Sequence, residues 1–206
     1  MCTISASMFN ALRQCLFVYC VILLLLKLCY VVNSSADDTD FIKLYKACEE
    51  NDTITCIAIL KKRPHYVNRF KLPEGYTPFM MACAYVNTPL VKYMLEIGAQ
   101  VSLKSKNNET PFYLAAFYHI RNKDSTNASC IRELYYAGAN INEPTRNITP
   151  LQLAAIFGHT SLVKWLLIKK ATVNTNPHPY FLAKNQGHHE TANLIACAEQ
   201  FKSICC

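Results

Sequence analysis

Six histidines, eleven cysteines and a set of Asn-x-Ser/Thr triplets are the residues of this 206-residue chain that could carry chemistry. Zinc hydrolysis needs two histidines one helical turn apart on one face, and His188-His189-Glu190 lacks that i, i+4 spacing. A nucleophilic cysteine needs a base within reach and an electropositive, partly open site, so its fate depends on where the surrounding elements place it. Beyond the N-terminal leader, four N-glycosylation acceptor patterns begin at Asn51, Asn108, Asn127 and Asn147. The chain ends on Cys205-Cys206, a pair of the kind that accepts prenyl groups in membrane-tethered cytosolic proteins, which is incompatible with a cleaved secretory signal.

The elements that must position these residues are clearest between Asn147 and Asn174. Thr149 is a candidate N-cap, Pro150 suits the first helical position, and Leu151, Leu153, Ala154 and Ala155 give a short apolar face. Gly158 ends that helix, and Leu162, Val163, Leu166 and Leu167 supply a second face at helical spacing. Neither helix is long enough to be stable alone, so the pair requires copies of itself alongside. Thr77-Pro78 and Thr110-Pro111 open two such copies. The three Thr-Pro pairs lie 33 and 39 residues apart.

With these motifs the chain resembles an ankyrin-repeat protein. The resemblance implies an all-α, ankyrin-repeat solenoid of stacked helix pairs with β-turn or hairpin connections. Its repeats fall at about 40–72, 73–105, 106–144, 145–174 and 175–202, inside a domain spanning 37–206. The first unit, without Thr-Pro, and the last, a truncated one, are expected to cap the stack. It also implies that Cys48, Cys56, Cys83 and Cys130 fill buried positions as small apolar residues, without obvious disulfide partners. The five glycines become turn punctuation, and His159 and His188 become turn residues. No catalytic residue, cofactor, metal or small-molecule substrate is expected; the chain is read as a non-enzymatic protein-interaction module.

The resemblance further implies where a protein partner binds. On the concave face of such a stack, the residue before Thr-Pro and the two after the Ala-Ala pair are exposed. They correspond here to Tyr76, Ala84 and Tyr85, to Glu109, Phe117 and Tyr118, and to Ile148, Ile156 and Phe157. Tyr76, Tyr85, Phe117, Tyr118 and Phe157 are the candidate anchors, because aromatic side chains on an exposed strip act as interface anchors. Phe117 and Phe157 have a second reading, as residues tucked against the next repeat.

The N-terminal segment 1–36 contains an uninterrupted apolar run, Cys15 to Leu26, extended past Lys27 to Val32. A run of twelve followed by Ser34-Ser35-Ala36 reads as a secretory signal peptide, which makes the protein secreted or lumenal. Counted through Lys27, residues 12–32 read instead as a single-pass membrane anchor. Asp37 to Asp40 is expected to form an acidic linker. Asn108 and Asn147 precede Thr-Pro where a left-handed turn is needed, so the repeat itself accounts for two of the four triplets. Between Ala116 and Leu134 the third repeat carries surplus polar residues, Arg121 to Asn127, expected as an exposed loop. The net charge of +7 is spread over 21 Lys and Arg without a basic block, which excludes a nucleic-acid-binding stripe.

Overall fold

The computed structural model describes residues 38–73, 75–122 and 128–204, with side chains described as far as 199. The leader and Asn127 lie outside the described residues. The chain divides into two units, Met1–Lys43 and Leu44–Cys206. Of the first, the described part is the opening of helix α1 (38–49), which starts within the segment expected as a linker.

The remaining elements are α2 (Thr53–Lys62), a 3₁₀ turn (Pro64–Asn68), α3 (Pro78–Ala84), α4 (Thr88–Glu96), α5 (Pro111–Arg121) and α6 (Ser129–Tyr136). They are followed by α7 (Pro150–Ile156), α8 (Thr160–Ile168), α9 (Pro179–Asn185) and α10 (His189–Ile204). α3, α5 and α7 begin identically. The hydroxyls of Thr77, Thr110 and Thr149 accept from the backbone N–H of Met80, Tyr113 and Gln152 at 3.1, 3.1 and 3.2 Å. A proline follows each cap, where the absent N–H leaves nothing unpaired. At α7 the cap is reciprocal, because Gln152 Oε1 accepts from the Thr149 N–H at 2.7 Å.

The helices form two rows. α3 packs on α5, α5 on α7 and α7 on α9, while α2, α4 and α6 stack behind them and α10 packs against both α8 and α9. Buried between the rows are Leu60, Tyr66, Phe79, Leu90, Met94, Phe112, Leu134, Leu151, Leu166 and Ile195. Helices of seven to eleven residues are marginal in water, so this burial is what holds them.

Each turn repeats in backbone detail. After the second helices, Ala99, Ala139 and Ala171 donate to the carbonyls of Met94, Leu134 and Leu166. The left-handed residue before each is Gly98 (φ 93°), Gly138 (φ 88°) and Lys170 (φ 61°). Between paired helices the left-handed place is taken by Asn51 (φ 58°), Val86 (φ 55°), Gly158 (φ 64°) and Gly187 (φ 78°). At Gly158 the next repeat also comes close: an added Cβ would lie 2.4 Å from His188 Nδ1.

Hairpins carry β-bridges at Lys71 and Tyr76 and at Thr145 and Ile148. Two asparagines stitch them to the following repeat. Asn68 donates to the Gly98 carbonyl and accepts from the Gln100 N–H, both at 2.9 Å, and Asn142 accepts from the Thr172 N–H at 2.8 Å.

Two expectations need correction. Arg121 is the last residue of α5 and not part of a loop; the extra turn forms because His119 and Ile120 have a buried side to occupy. Residues 123–127 lie outside the described residues. The last repeat is not truncated in its second helix, since α10 runs for 16 residues where α4, α6 and α8 run for eight or nine. Cys48, Cys56, Cys83 and Cys130 are buried and free of disulfides, but their thiols meet in hydrogen-bonded pairs that the repeat pattern does not announce, as described below.

Candidate functional site: a tyrosine-lined groove

The exposed ends of the first helices sit beside the hairpin positions because caps and turns fix both in register. Tyr76 stands one residue before the α3 cap, and Tyr85 and Tyr118 each stand eight residues after their capping threonine. The structure brings these three together around a groove of about 200 Å³. Tyr45 and Glu49 of α1 complete its wall, and Met81, Ala84 and Leu114 lie beneath. Tyr85 and Tyr118 are 45% and 44% exposed, while Tyr76 is half-buried against Met80, Ala84 and Leu114.

Phe117 and Phe157 do not line the groove. Phe117 is half-buried, stacked on Tyr113 at 6.2 Å and edge-on to Tyr118 at 5.4 Å, with the Arg121 guanidinium over its ring. Phe157 is exposed, farther along the same register. Tyr45 and Glu49 were not read from the sequence. Glu49 occupies the register of Ala84, each two residues before the left-handed residue of its turn, and that count could have found it.

The groove's polar groups are ordered by neighbours. The Tyr76 hydroxyl donates to Glu109 Oε2, which also accepts from the Ser105 hydroxyl at 2.9 Å. Arg146 lies 3.8 Å from the other oxygen of Glu109. Burial, reinforced by the Glu109 carboxylate, pushes the Tyr76 phenol up to about 12, so it stays a neutral donor. At the far wall the Lys71 ammonium sits 4.1 Å over the Tyr45 ring and 3.9 Å from Glu49. A second depression of about 230 Å³, between the hairpins ending α4 and α6, is bridged by the Lys104 and Glu143 ion pair.

The groove therefore offers phenol edges, hydroxyls and one carboxylate on an apolar base. Among the described residues no group of His, Cys, Asp or Glu could hold a metal. His119 is buried with its ring tilted against that of His159, centroids 5.1 Å apart, and burial together with His159 lowers its affinity for a proton.

The buried thiols pair. Cys48 Sγ and Cys56 Sγ are 3.5 Å apart, and Cys83 hydrogen-bonds with Cys130. These contacts arise because the second Ala position of a first helix faces the first turn of a second helix. Of the glycosylation candidates, Asn51, Asn108 and Asn147 are exposed and left-handed, at φ 58°, 64° and 63°. The Asn87 amide donates to both Asn51 Oδ1 and Thr53 Oγ1, at 2.6 and 2.7 Å. Asn127 lies outside the described residues.

With this geometry established, comparison with known proteins is direct. A family model described as ankyrin repeats (3 copies) matches residues 44–142 and 120–204. The chain is similar to an ankyrin repeat and KH domain-containing protein of Caenorhabditis briggsae, 27% identical over 154 residues, covering 64% of this chain and 6% of that protein. It is similar to a putative E3 ubiquitin-protein ligase of Arabidopsis thaliana, 25% identical over 126 residues, covering 60% and 26%. A third similarity, 33% over 90 residues covering 43% and 18%, is to the ankyrin repeat, SAM and basic leucine zipper domain-containing protein 1 of Rhinolophus ferrumequinum. The chain spans far less than two thirds of each of these relatives.

Proposed function

Since this chain belongs to the ankyrin-repeat family, a family of protein-interaction modules, we propose that it binds a protein partner through the groove that Tyr76, Tyr85 and Tyr118 line. The observation that carries this reading is the exposure of two tyrosines beside a third held in place by Glu109. Rings already fixed by packing lose little freedom when a partner covers them, so the contact area converts efficiently to affinity. The role proposed is non-catalytic, in keeping with a family of interaction modules.

Delivery is part of the proposal. Residues 1–36 send the repeats into the secretory pathway, a reading supported by the apolar run from Cys15 to Leu26 and the small residues after it. The second reading, a membrane anchor over residues 12–32, is favoured by the length of the run once Lys27 is included. A native N-terminus near Asp37 selects the first, and an intact Met1 in a membrane fraction selects the second.

The binding test is a partner recovered by cross-linking at the groove and then titrated in purified form. Tyr85→Ala with Tyr118→Ala should weaken that complex and leave thermal unfolding almost unchanged. Full-strength binding by the folded double variant would refute the groove as the site.

A further inference from the structure

We propose that Cys48 and Cys56 form a redox pair that closes to an intramolecular disulfide and locks the first helix pair. Their sulfurs lie 3.5 Å apart across the turn from α1 to α2, with both side chains buried. A disulfide bond is about 2.05 Å long, so the sulfurs must close by roughly 1.5 Å to bond. The turn between them is already fixed. Asn51 is left-handed, Asp52 caps α2 by accepting from the Thr55 N–H at 3.1 Å, and Asn87 of the next repeat holds Asn51 and Thr53. The two cysteines therefore face each other in the folded chain instead of meeting by chance.

The two thiols are not equivalent. Either sulfur can donate in their contact, but the shared hydrogen bond, with burial adding to it, pushes the Cys48 thiol up and lowers that of Cys56. Cys56 also sits in the first turn of α2, where backbone N–H groups favour negative charge. Cys56 is the attacking sulfur and Cys48 the resolving one. The co-reactant is a small-molecule disulfide, RSSR, of the glutathione class. The Cys56 thiolate attacks one sulfur of RSSR, forming a mixed disulfide and expelling RS⁻, which takes up the proton Cys56 released. Cys48 then loses its proton and attacks Cys56 Sγ, expelling the second RS⁻, which is protonated in turn. The two cysteines are oxidised, RSSR is reduced, and two RSH leave.

Burial sets the timing. RSSR reaches Cys56 only when the terminal helix pair opens, and such end units open more readily than the middle of a stack. The closed loop is short and contains Asn51 and Asp52, so closure holds the cap in the register that Asn87 reads.

The test uses the full reduced chain, treated with oxidised glutathione, unfolded in an alkylating reagent and digested with trypsin. Cys48 and Cys56 fall in one peptide, 47–61, because no Lys or Arg stands between Lys46 and Lys61. The expected result is loss of both alkylatable thiols from that peptide, with a mass two hydrogens below the reduced form. In Cys48→Ala, which restores the residue found at Ala116 and Ala155, Cys56 should instead retain glutathione. Peptide 47–61 recovered with both thiols alkylated, or with glutathione on Cys56 and Cys48 still free in the unaltered chain, overturns the proposal.

Discussion

The Tyr76 hydroxyl donates to the Glu109 carboxylate although 33 residues separate them, and the two occupy the same position, one before the capping threonine, in successive repeats. A half-buried position of one repeat is thus tied to its buried counterpart in the next.

Removing that hydroxyl tests the tie. Tyr76→Phe should lower stability by about 1 kcal/mol, the net worth of a part-exposed hydrogen bond to a charged group. The phenol's folded value is raised to about 12, so the contribution is complete below the ordinary tyrosine value near 10 and is lost as pH rises from 10 towards 12. Chemical denaturation of both proteins across that range should show the unaltered chain converging on the variant.

His119 gives the opposite dependence. Burial and the neighbouring His159 depress its proton affinity, so the unfolded chain takes up the proton first as pH falls. Stability is complete above the ordinary histidine value of about 6.5 and declines as pH drops below it towards the depressed folded value. Thermal unfolding of His119→Gln should show a smaller decline over the same window.

Val86 holds φ 55° where Gly158 and Gly187 serve the same turn. A β-branched residue there is strained, and glycine removes the strain at some cost in chain entropy. Val86→Gly should therefore raise stability by about 1 kcal/mol, read as a rise of a few degrees in Tm. Destabilisation would mean that the packing of the valine side chain outweighs its backbone cost.

Capping is the fourth test. Thr110→Ala deletes the acceptor for the Tyr113 N–H and should cost about 1 kcal/mol. Thr110→Ser keeps the hydroxyl and should recover most of it.

For the groove itself, Tyr85→Ala and Tyr118→Ala should each change stability by less than about 0.5 kcal/mol, since both rings are nearly half exposed. Together they should weaken partner binding by about 30-fold, roughly 2 kcal/mol. Calorimetry and titration on the same preparations separate the two effects.

The parts of this molecule legible in the sequence are those written locally. Thr149-Pro150 announces a capped helix because the contact the threonine makes spans three residues, and Gly158 marks the stop for the same reason. The register then placed Tyr76, Tyr85 and Tyr118 together. What was not legible depends on contacts without a repeating signature. Glu49 and Tyr45 belong to a unit lacking Thr-Pro, so Glu49 is reached only by counting back from the turn at Asn51 and Tyr45 has no repeat position that marks it. The added turn of α5 follows from burial of His119 and Ile120, which the polar residues after it conceal. Cys48 and Cys56 meet through a turn whose left-handed residue is Asn51 instead of glycine, and Phe117 turns towards Tyr113 by side-chain choice.

The side chains of Asn68 and Asn142 reach forward across a hairpin to grip backbone in the unit ahead. Deleting the second or the fourth unit would leave one such hand empty, and deleting the third would leave the target in the fourth unheld. Damage to this protein should consequently proceed like fraying rope, from its margins inward, with the third and fourth units the last to come apart.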